Sequence, residues 1–127
     1  EEKGKRRREE KGKGKMGAGQ STRPPILGEE FIDFNVDTSQ GPIQWHNYIK
    51  GSWAILFSHP ADYTPVCTTE LGTVAKYSAE FKKRNVKLAA ISCNDVDSHK
   101  GWIKDIIASQ NLPGVDLPFP IISDPKR

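Results

Sequence analysis

The chain has 127 residues, enough for one compact domain and too few for two domains of ordinary size. Its composition, 35% hydrophobic and 28% charged, is that of a soluble globular protein, and no apolar run approaches the roughly 20 residues of a membrane span. Two cysteines are too few for a disulfide framework, and a reducing compartment would keep both as thiols.

The net charge of +3 originates in the N-terminal segment. Residues 1–15 hold eight Lys or Arg and four Glu, whereas the rest of the chain holds 11 basic and 12 acidic residues. A basic groove for nucleic acid is therefore not indicated, and no nucleic-acid partner is expected. We expect residues 1–25 to be a disordered, charged and glycine-rich tail and linker, because they have too little apolar surface to offset the entropy of ordering. Nuclear targeting or attraction to an anionic surface remains open for this tail.

Met16 is the only methionine, and it is followed by "GAGQS". If Met16 were the initiator, Gly17 would begin an N-myristoylation pattern; the interpretation we prefer is a glycine-rich linker. Nothing near the N-terminus resembles a signal peptide. We expect a cytoplasmic or nuclear protein, with membrane association only if Gly17 is myristoylated.

The first predicted elements are two strands and the segment between them. "FIDFNV" (31–36) alternates apolar and polar residues like a half-buried strand, and "SQGPI" turns the chain. "WHNYIKG" (45–51) is a short connection. "WAILFS" (53–58) is continuously apolar, which is typical of a strand covered on both faces.

Helices and strands alternate in the rest of the chain. An amphipathic helix begins near Thr64, "KLAAIS" (87–92) is a buried strand, "NLPG" ends a second helix, and "FPIISD" (119–124) begins a third buried strand. The apolar faces of the helices consist of Leu71, Val74, Ala75 and Phe81, and of Trp102, Ile103, Ile106 and Ile107. This order predicts an α/β sheet with parallel crossovers. Because the chain stops just after a strand, we expect residues 26–127 to be a C-terminally truncated domain.

Cys67 stands where a helix begins, directly after a predicted strand. Thr64 suits the N-cap position, Pro65 suits the first helical position, and Cys67 then lies in the first turn. Unpaired amides and the positive end of the helix dipole stabilise a thiolate there, so the position favours a nucleophile. The Thr64 hydroxyl can both cap the helix and donate to an incoming oxygen. Glu70 alone would oppose thiolate formation, which suggests a cation nearby.

The second cysteine and the three histidines carry weaker signals. Cys93 continues a buried strand, and we interpret it as a buried structural thiol. No CxxC pair is present. His46, His59 and His99 are far apart in the chain and form no ligand cluster with the cysteines, so neither a metal nor a cofactor is expected.

The stretch "FSHPADYTPVCTTELG" resembles the peroxidatic motif of the peroxiredoxins: a proline, three residues, Thr or Ser, two residues, and the cysteine. Its form, with "SHP" before and "CTTE" after, resembles the 1-Cys branch of that family. The resemblance continues through "RNVKLAAISCNDVDSHKGWIKDI" and "LPFPIISD", and covers residues 26–127.

The resemblance implies a thioredoxin-like fold of the peroxiredoxin type and a thiol peroxidase. Cys67 would attack a hydrogen peroxide or alkyl hydroperoxide and become a sulfenic acid. Pro60 would shield the thiolate and Thr64 would orient the peroxide. The amides of Val66 and Cys67 would stabilise developing charge.

The resemblance also implies further residues and partners. Glu70 would pair with an arginine downstream of residue 127. His59 matches a histidine beside the catalytic pocket and is either a strand-end residue satisfied by the backbone or active in resolving the sulfenic acid. A thiol reductant from the glutathione or thioredoxin system would restore Cys67, and the full-length protein would be a homodimer.

The sequence also bears on two other functions. Some 1-Cys members have a phospholipase site, and His46 and Ser52 stand at matching places, but "KGSWA" lacks both outer glycines of a nucleophile elbow. The alternative to a peroxidase is a non-catalytic or redox-sensing thioredoxin-fold interaction module.

Overall fold

The computed structural model describes residues 23–114 and 116–126. The predictions for Met16, Gly17 and nearly all of the charged tail lie outside these residues. Within them, no helix is long and apolar enough to cross a membrane. The elements are β1 (Asn35–Val36), β2 (Ile43–Gln44), α1 (Trp45–Ile49), β3 (Trp53–Ser58), α2 (Pro65–Lys76), α3 (Ser78–Lys83), β4 (Val86–Ser92), α4 (Val96–Ser109) and β5 (Ile121–Ser123).

The centre of the fold is a three-stranded parallel sheet in the order β3-β4-β5, and β1 and β2 form a separate antiparallel pair. Leu56 pairs with Ala89, and Ile91 pairs with Ile122. Helices α2 and α3 connect β3 to β4, and α4 connects β4 to β5. The predicted α/β sheet with parallel crossovers is confirmed.

Successive residues of each strand point to opposite faces of the sheet, and each face has its own core. Leu88 and Ala90 of β4 pack against α2 and α4, together with Trp102. On the other face, Ala89 packs against Phe34 and the α1 residue Trp45. The predicted apolar faces of both helices point into the first core, because Leu71, Ala75, Trp102, Ile103, Ile106 and Ile107 are buried and Val74 and Phe81 pack against them.

Helix α2 crosses α4 at close range, and this crossing supports the segment that carries Cys67. A Cβ atom at Gly72 would lie 2.6 Å from Gln110 Cγ and 2.8 Å from Ser109 Oγ. Real side chains do not approach so closely without a shift. Glycine therefore allows the two helices to approach here.

Two local predictions are wrong, and one predicted connection contains a helix that was not predicted. The strand predicted at 31–36 forms only at Asn35–Val36. Before it, the Asp33 carboxylate accepts hydrogen bonds from the backbone N–H of His46 (2.9 Å) and from Gln44 Nε2 (2.6 Å), and these contacts replace strand pairing. The connection at 45–51 contains the helix α1. The helix after Thr64 breaks at Tyr77 into α2 and α3.

The interpretation of "WAILFS" as a strand is confirmed, but its expected burial on both faces is wrong. Trp53 is 77% exposed and Ile55 is 38% exposed. Among the described strands, β3 pairs only with β4, so it forms an edge of the sheet. Its C-terminal end, at Leu56 and Phe57, does pack against the two cores.

Candidate active site

Cys67 lies in the first turn of α2, as predicted. Thr64 is at the N-cap position with extended backbone (φ −74°, ψ 133°), and Pro65 is the first helical residue. Proline fits this place because its fixed φ suits a helix and its missing N–H would have had no partner. The amides of Val66 and Cys67 belong to the turn whose N–H groups have no carbonyl within the helix.

The side chain of Thr64 does not cap the helix, so that part of the prediction is wrong. Its hydroxyl donates instead to the carbonyl of Ala61, at 3.1 Å. The hydroxyl is thereby turned toward the preceding loop rather than toward the helix amides. Its oxygen keeps lone pairs that can accept a further hydrogen bond.

A second hydroxyl ties the first turn of α2 to the core. Thr68 Oγ1 donates to the carbonyl of Thr64 at 2.8 Å and accepts from the indole Nε1 of Trp102, also at 2.8 Å. Trp102 is fully buried, and its ring centroid lies 4.8 Å from that of His59. One tryptophan of α4 therefore contacts both the helix start beside Cys67 and the histidine that precedes it.

Cys67, His59 and Glu70 line one open cleft of about 490 Å³. Cys67 is half-buried and packs against the core, whereas Glu70 is exposed. The remaining walls come from the end of β3 and from α2: Phe57, Ser58, Thr69, Leu71, Thr73 and Val74. The structure thus brings three of the six predicted site residues together.

The other three predicted residues surround the helix start without lining this cleft. Pro60 and Val66 are exposed, and Thr64 is half-buried. Across residues 23–114 and 116–126, no Lys or Arg forms an ion pair with the Glu70 carboxylate. The cation that Glu70 indicates is not supplied by that part of the chain.

Asp62, which the sequence analysis missed, is the centre of a buried polar cluster. Its carboxylate is fully buried and accepts from His59 Nε2 (3.0 Å), His99 Nδ1 (2.6 Å), Ser98 Oγ (2.8 Å) and Ser92 Oγ (3.2 Å). Burial by itself raises the pKa of Asp62, but the hydrogen bonds from His59, His99 and Ser98 outweigh it and hold that pKa well below its usual range.

Two of the three histidines that are far apart in the sequence therefore meet at one carboxylate. The signal that could have revealed this is the position of His99, which precedes Trp102, Ile103 and Ile106 on the apolar face of α4. A histidine on such a face has to find a partner inside the protein. No group of His, Cys, Asp and Glu among the described residues has the geometry of a metal site.

His59 is buried and does not match the interpretation of a strand-end residue satisfied by the backbone. Its Nε2 donates to Asp62, while its Nδ1 is buried without a hydrogen-bond partner in the part of the chain that the structure describes.

Cys93 is exposed, so the interpretation of a buried structural thiol is wrong. Strand β4 ends at Ser92, whose side chain is buried against Asp62, and the next side chain points outward.

His46 and Ser52 have separate partners. The His46 ring contacts the carbonyl of Phe31 at 2.7 Å, and Ser52 donates to the carbonyl of Ile49 at 2.7 Å.

Most of the chain is similar in sequence to known proteins. Residues 27–127 match the AhpC/TSA family model. A 1-Cys peroxiredoxin of Medicago truncatula is 56% identical over 101 residues, which are 80% of this chain and 45% of that protein. Peroxiredoxin-6 of Gallus gallus is 53% identical over 103 residues, with 80% and 46% covered. The chain thus spans about half the length of the curated relatives it matches.

Solved structures give the same result for the fold. The peroxiredoxin 6 of Arenicola marina, solved as a cysteine-to-serine mutant, superposes with a TM-score of 0.79 at 46% identity, over 82% of this chain and 47% of that one. The yeast mitochondrial 1-Cys peroxiredoxin gives a TM-score of 0.76 at 46% identity, over 80% and 46%. The thioredoxin-like fold of the peroxiredoxin type is therefore confirmed. With its family match and these relatives, the chain belongs to the AhpC/TSA family and is similar to its 1-Cys peroxiredoxin members.

Proposed function

We propose that the protein is a thiol peroxidase in which Cys67 reduces hydrogen peroxide and alkyl hydroperoxides. The observation that carries this proposal is the place of Cys67: it is the third residue of α2, half-buried, and lines an open cleft with His59 and Glu70. A helix start offers unpaired N–H groups and a positive dipole end to the thiolate. The cleft gives a small peroxide access to the sulfur.

The reaction begins with attack of the Cys67 thiolate on the terminal oxygen of the hydroperoxide. The O–O bond breaks, the sulfur becomes a sulfenic acid, and the other oxygen leaves as hydroxide or alkoxide, which takes a proton from solvent to become water or an alcohol. The amides of Val66 and Cys67 stabilise negative charge on the oxygens as it develops. Thr64 orients the peroxide by accepting from its O–H, because the hydroxyl proton of Thr64 is directed at Ala61.

Pro60 limits access of water to the sulfur from the loop side. Glu70 forms an ion pair with an arginine from another part of the complete protein. A thiol of the glutathione or thioredoxin system then condenses with the sulfenic acid to form a mixed disulfide and releases water; a second thiol attacks this disulfide, frees Cys67 as the thiol and leaves as the oxidised reductant. Support for this reductant comes from the yeast mitochondrial 1-Cys peroxiredoxin, whose structure concerns thiol resolution via the glutathione and thioredoxin systems. We propose a homodimer for the complete protein.

The test replaces each cysteine in turn in the full chain. Cys67→Ser should abolish the consumption of hydrogen peroxide in the presence of a thiol reductant. Cys93→Ser is the matched control: this thiol is exposed and outside the cleft, so the variant should keep most of the activity.

If both variants retain the rate of the unmodified chain, the peroxidase proposal is wrong and a non-catalytic interaction module becomes the better explanation. If both lose it equally, the exposed thiol takes part in turnover as a resolving cysteine. The single-cysteine mechanism would then have to be abandoned.

A further inference from the structure

The hydrogen bonds of the buried cluster around Asp62 indicate which of its groups carry protons. An ionised carboxylate only accepts hydrogen bonds, and four side chains approach its two oxygens. Oδ1 faces His59 Nε2 and Ser92 Oγ, while Oδ2 faces His99 Nδ1 and Ser98 Oγ. All four partners can donate, so the ionised form is fully satisfied where it lies.

His99 is placed between two acceptors. Its Nδ1 lies 2.6 Å from Asp62 Oδ2, and its Nε2 lies 3.1 Å from the carbonyl oxygen of Ile122. A neutral imidazole has one N–H and one bare nitrogen, so it can satisfy only one of these two contacts. In the contact that lacks a proton, the lone pair of the bare ring nitrogen would face a lone pair of the acceptor oxygen, in a fully buried site. Only the imidazolium donates to both.

The alternative places the shared proton on Asp62, which would donate to a neutral His99. Three further donors oppose this arrangement, because hydrogen bonds to the charged form of a carboxyl favour that form. Ser98 Oγ approaches the same oxygen that would carry the proton, at 2.8 Å. The ion pair is the arrangement in which every donor in the cluster has an acceptor.

The pairing of Asp62 with His99 decides the state of His59. Nε2 of His59 faces the carboxylate and must carry its proton. A second proton on Nδ1 would put two imidazolium rings beside one carboxylate, in a site where both rings are almost fully buried. An uncompensated buried charge is costly, so Nδ1 stays bare. This agrees with the absence of a hydrogen-bond partner for Nδ1 among the described residues.

We propose that Asp62 and His99 form a buried ion pair that fixes His59 as the neutral Nε2–H tautomer, with Nδ1 as an unprotonated acceptor. Asp62 is then a positioning residue that acts on the Cys67 cleft through His59. The part of this inference that concerns reactivity rests on the proposed function; the charge states do not. His59 lines the cleft with Cys67, so a second proton on its ring would change the charge close to the sulfur.

Side-chain nitrogen NMR on the unmodified, ¹⁵N-labelled full chain tests the charge states without any substitution. The chain has three histidines, so His46→Gln removes one signal and helps to assign the others. At neutral pH, His99 should show two protonated nitrogens, and His59 should show a protonated Nε2 with a bare Nδ1. A neutral His99 ring, or a His59 ring protonated at Nδ1, would overturn the proposal.

The effect on reactivity is tested with Asp62→Asn, whose amide has similar shape but no charge and only one acceptor oxygen. The variant should slow the reaction of Cys67 with hydrogen peroxide at least about tenfold. In serine proteases, the same substitution next to the catalytic histidine gives the wrong tautomer and lowers kcat about 10⁴-fold. The NMR pattern of His59 should change with it. Asp97→Asn is the matched control, because it makes the same change at an exposed carboxylate of α4 outside the cluster; its rate should stay close to that of the unmodified chain.

If folded Asp62→Asn reacts with peroxide as fast as the unmodified chain, Asp62 does not position the site. A failure of the proposed function looks different: Cys67→Ser would consume peroxide as well as the unmodified chain does. In that case the NMR measurement would still test whether Asp62 and His99 form the ion pair.

Discussion

Replacing Thr68 with Val should destabilise the protein although it changes neither size nor branching. In the folded chain, the Thr68 hydroxyl is the acceptor for Trp102 Nε1 at 2.8 Å, and Trp102 is fully buried. The valine would leave that N–H without a partner, which costs about 1–3 kcal/mol for a buried donor. The hydrogen bond to Thr64 O is a smaller loss, because that carbonyl also accepts from the backbone N–H of Thr68 at 2.9 Å.

Thr69→Val is the matched control for this substitution. Thr69 is exposed in the same turn, and its hydroxyl donates to the carbonyl of Pro65 at 3.1 Å. The change in helix propensity is the same in both variants, so it cancels in the comparison. Thr69→Val should alter the free energy of unfolding by no more than about 0.5 kcal/mol.

Urea denaturation followed by circular dichroism measures both variants without relying on tryptophan fluorescence. Repeating Thr68→Val in a Trp102→Phe background removes the N–H that would be orphaned, so the cost of the valine should then largely disappear. The reasoning is refuted if Thr68→Val and Thr69→Val differ by less than about 0.5 kcal/mol, or if the Trp102→Phe background leaves the cost unchanged.

Three further substitutions test other contacts. In Gly101→Ala the new Cβ would overlap the hydroxyl oxygen of the exposed Tyr63, so the gain in helix propensity of about 1 kcal/mol should be realised more fully in a Tyr63→Phe background; an equal effect of Gly101→Ala on the free energy of unfolding in both backgrounds would contradict this. The lowered pKa of Asp62 stabilises the fold above the unfolded-state pKa of about 3.9, and this stabilisation is lost as the pH falls toward the folded-state value. The stability difference between the unmodified chain and Asp62→Asn in urea should therefore narrow below about pH 4, and a constant difference would rule the linkage out. Thr64→Val should cost no more than about 1.5 kcal/mol in the same assay, because it removes one hydrogen bond to Ala61 and no cap; a larger loss would restore the capping role.

The elements that sequence reasoning predicted well are those whose signal is local. The spacing of Leu71, Ala75, Trp102 and Ile106 is helical, and each of these side chains is buried where that spacing puts it. Pro65 likewise marks the start of α2 because the fixed φ of proline is a property of one residue. The site cysteine could be predicted for the same reason.

The failures arise where a partner distant in sequence decides the outcome. Residues 31–36 alternate like a strand, yet Asp33 is bound by His46 and Gln44 instead of joining a strand ladder. Cys93 continues an apolar run, but the strand ends one residue earlier. Neither result is visible in the periodicity of the segment itself.

The position of the Asp62 cluster follows from the topology of the sheet. In a parallel sheet the carboxyl ends of neighbouring strands lie at the same edge, and loops at that edge bring side chains from distant segments together. His59 directly follows β3, Ser92 ends β4, and Ser123, which ends β5, donates to the carbonyl of Asn94 at 2.8 Å. Asp62 lies in the loop between β3 and α2. Apart from His59, its partners come from the end of β4 and from α4, so they are 30 to 37 residues away along the chain. Once the three parallel strands are predicted, the polar residues just beyond their carboxyl ends are therefore the ones to examine together, and the histidine on the inner face of α4 is the group that needs such a partner.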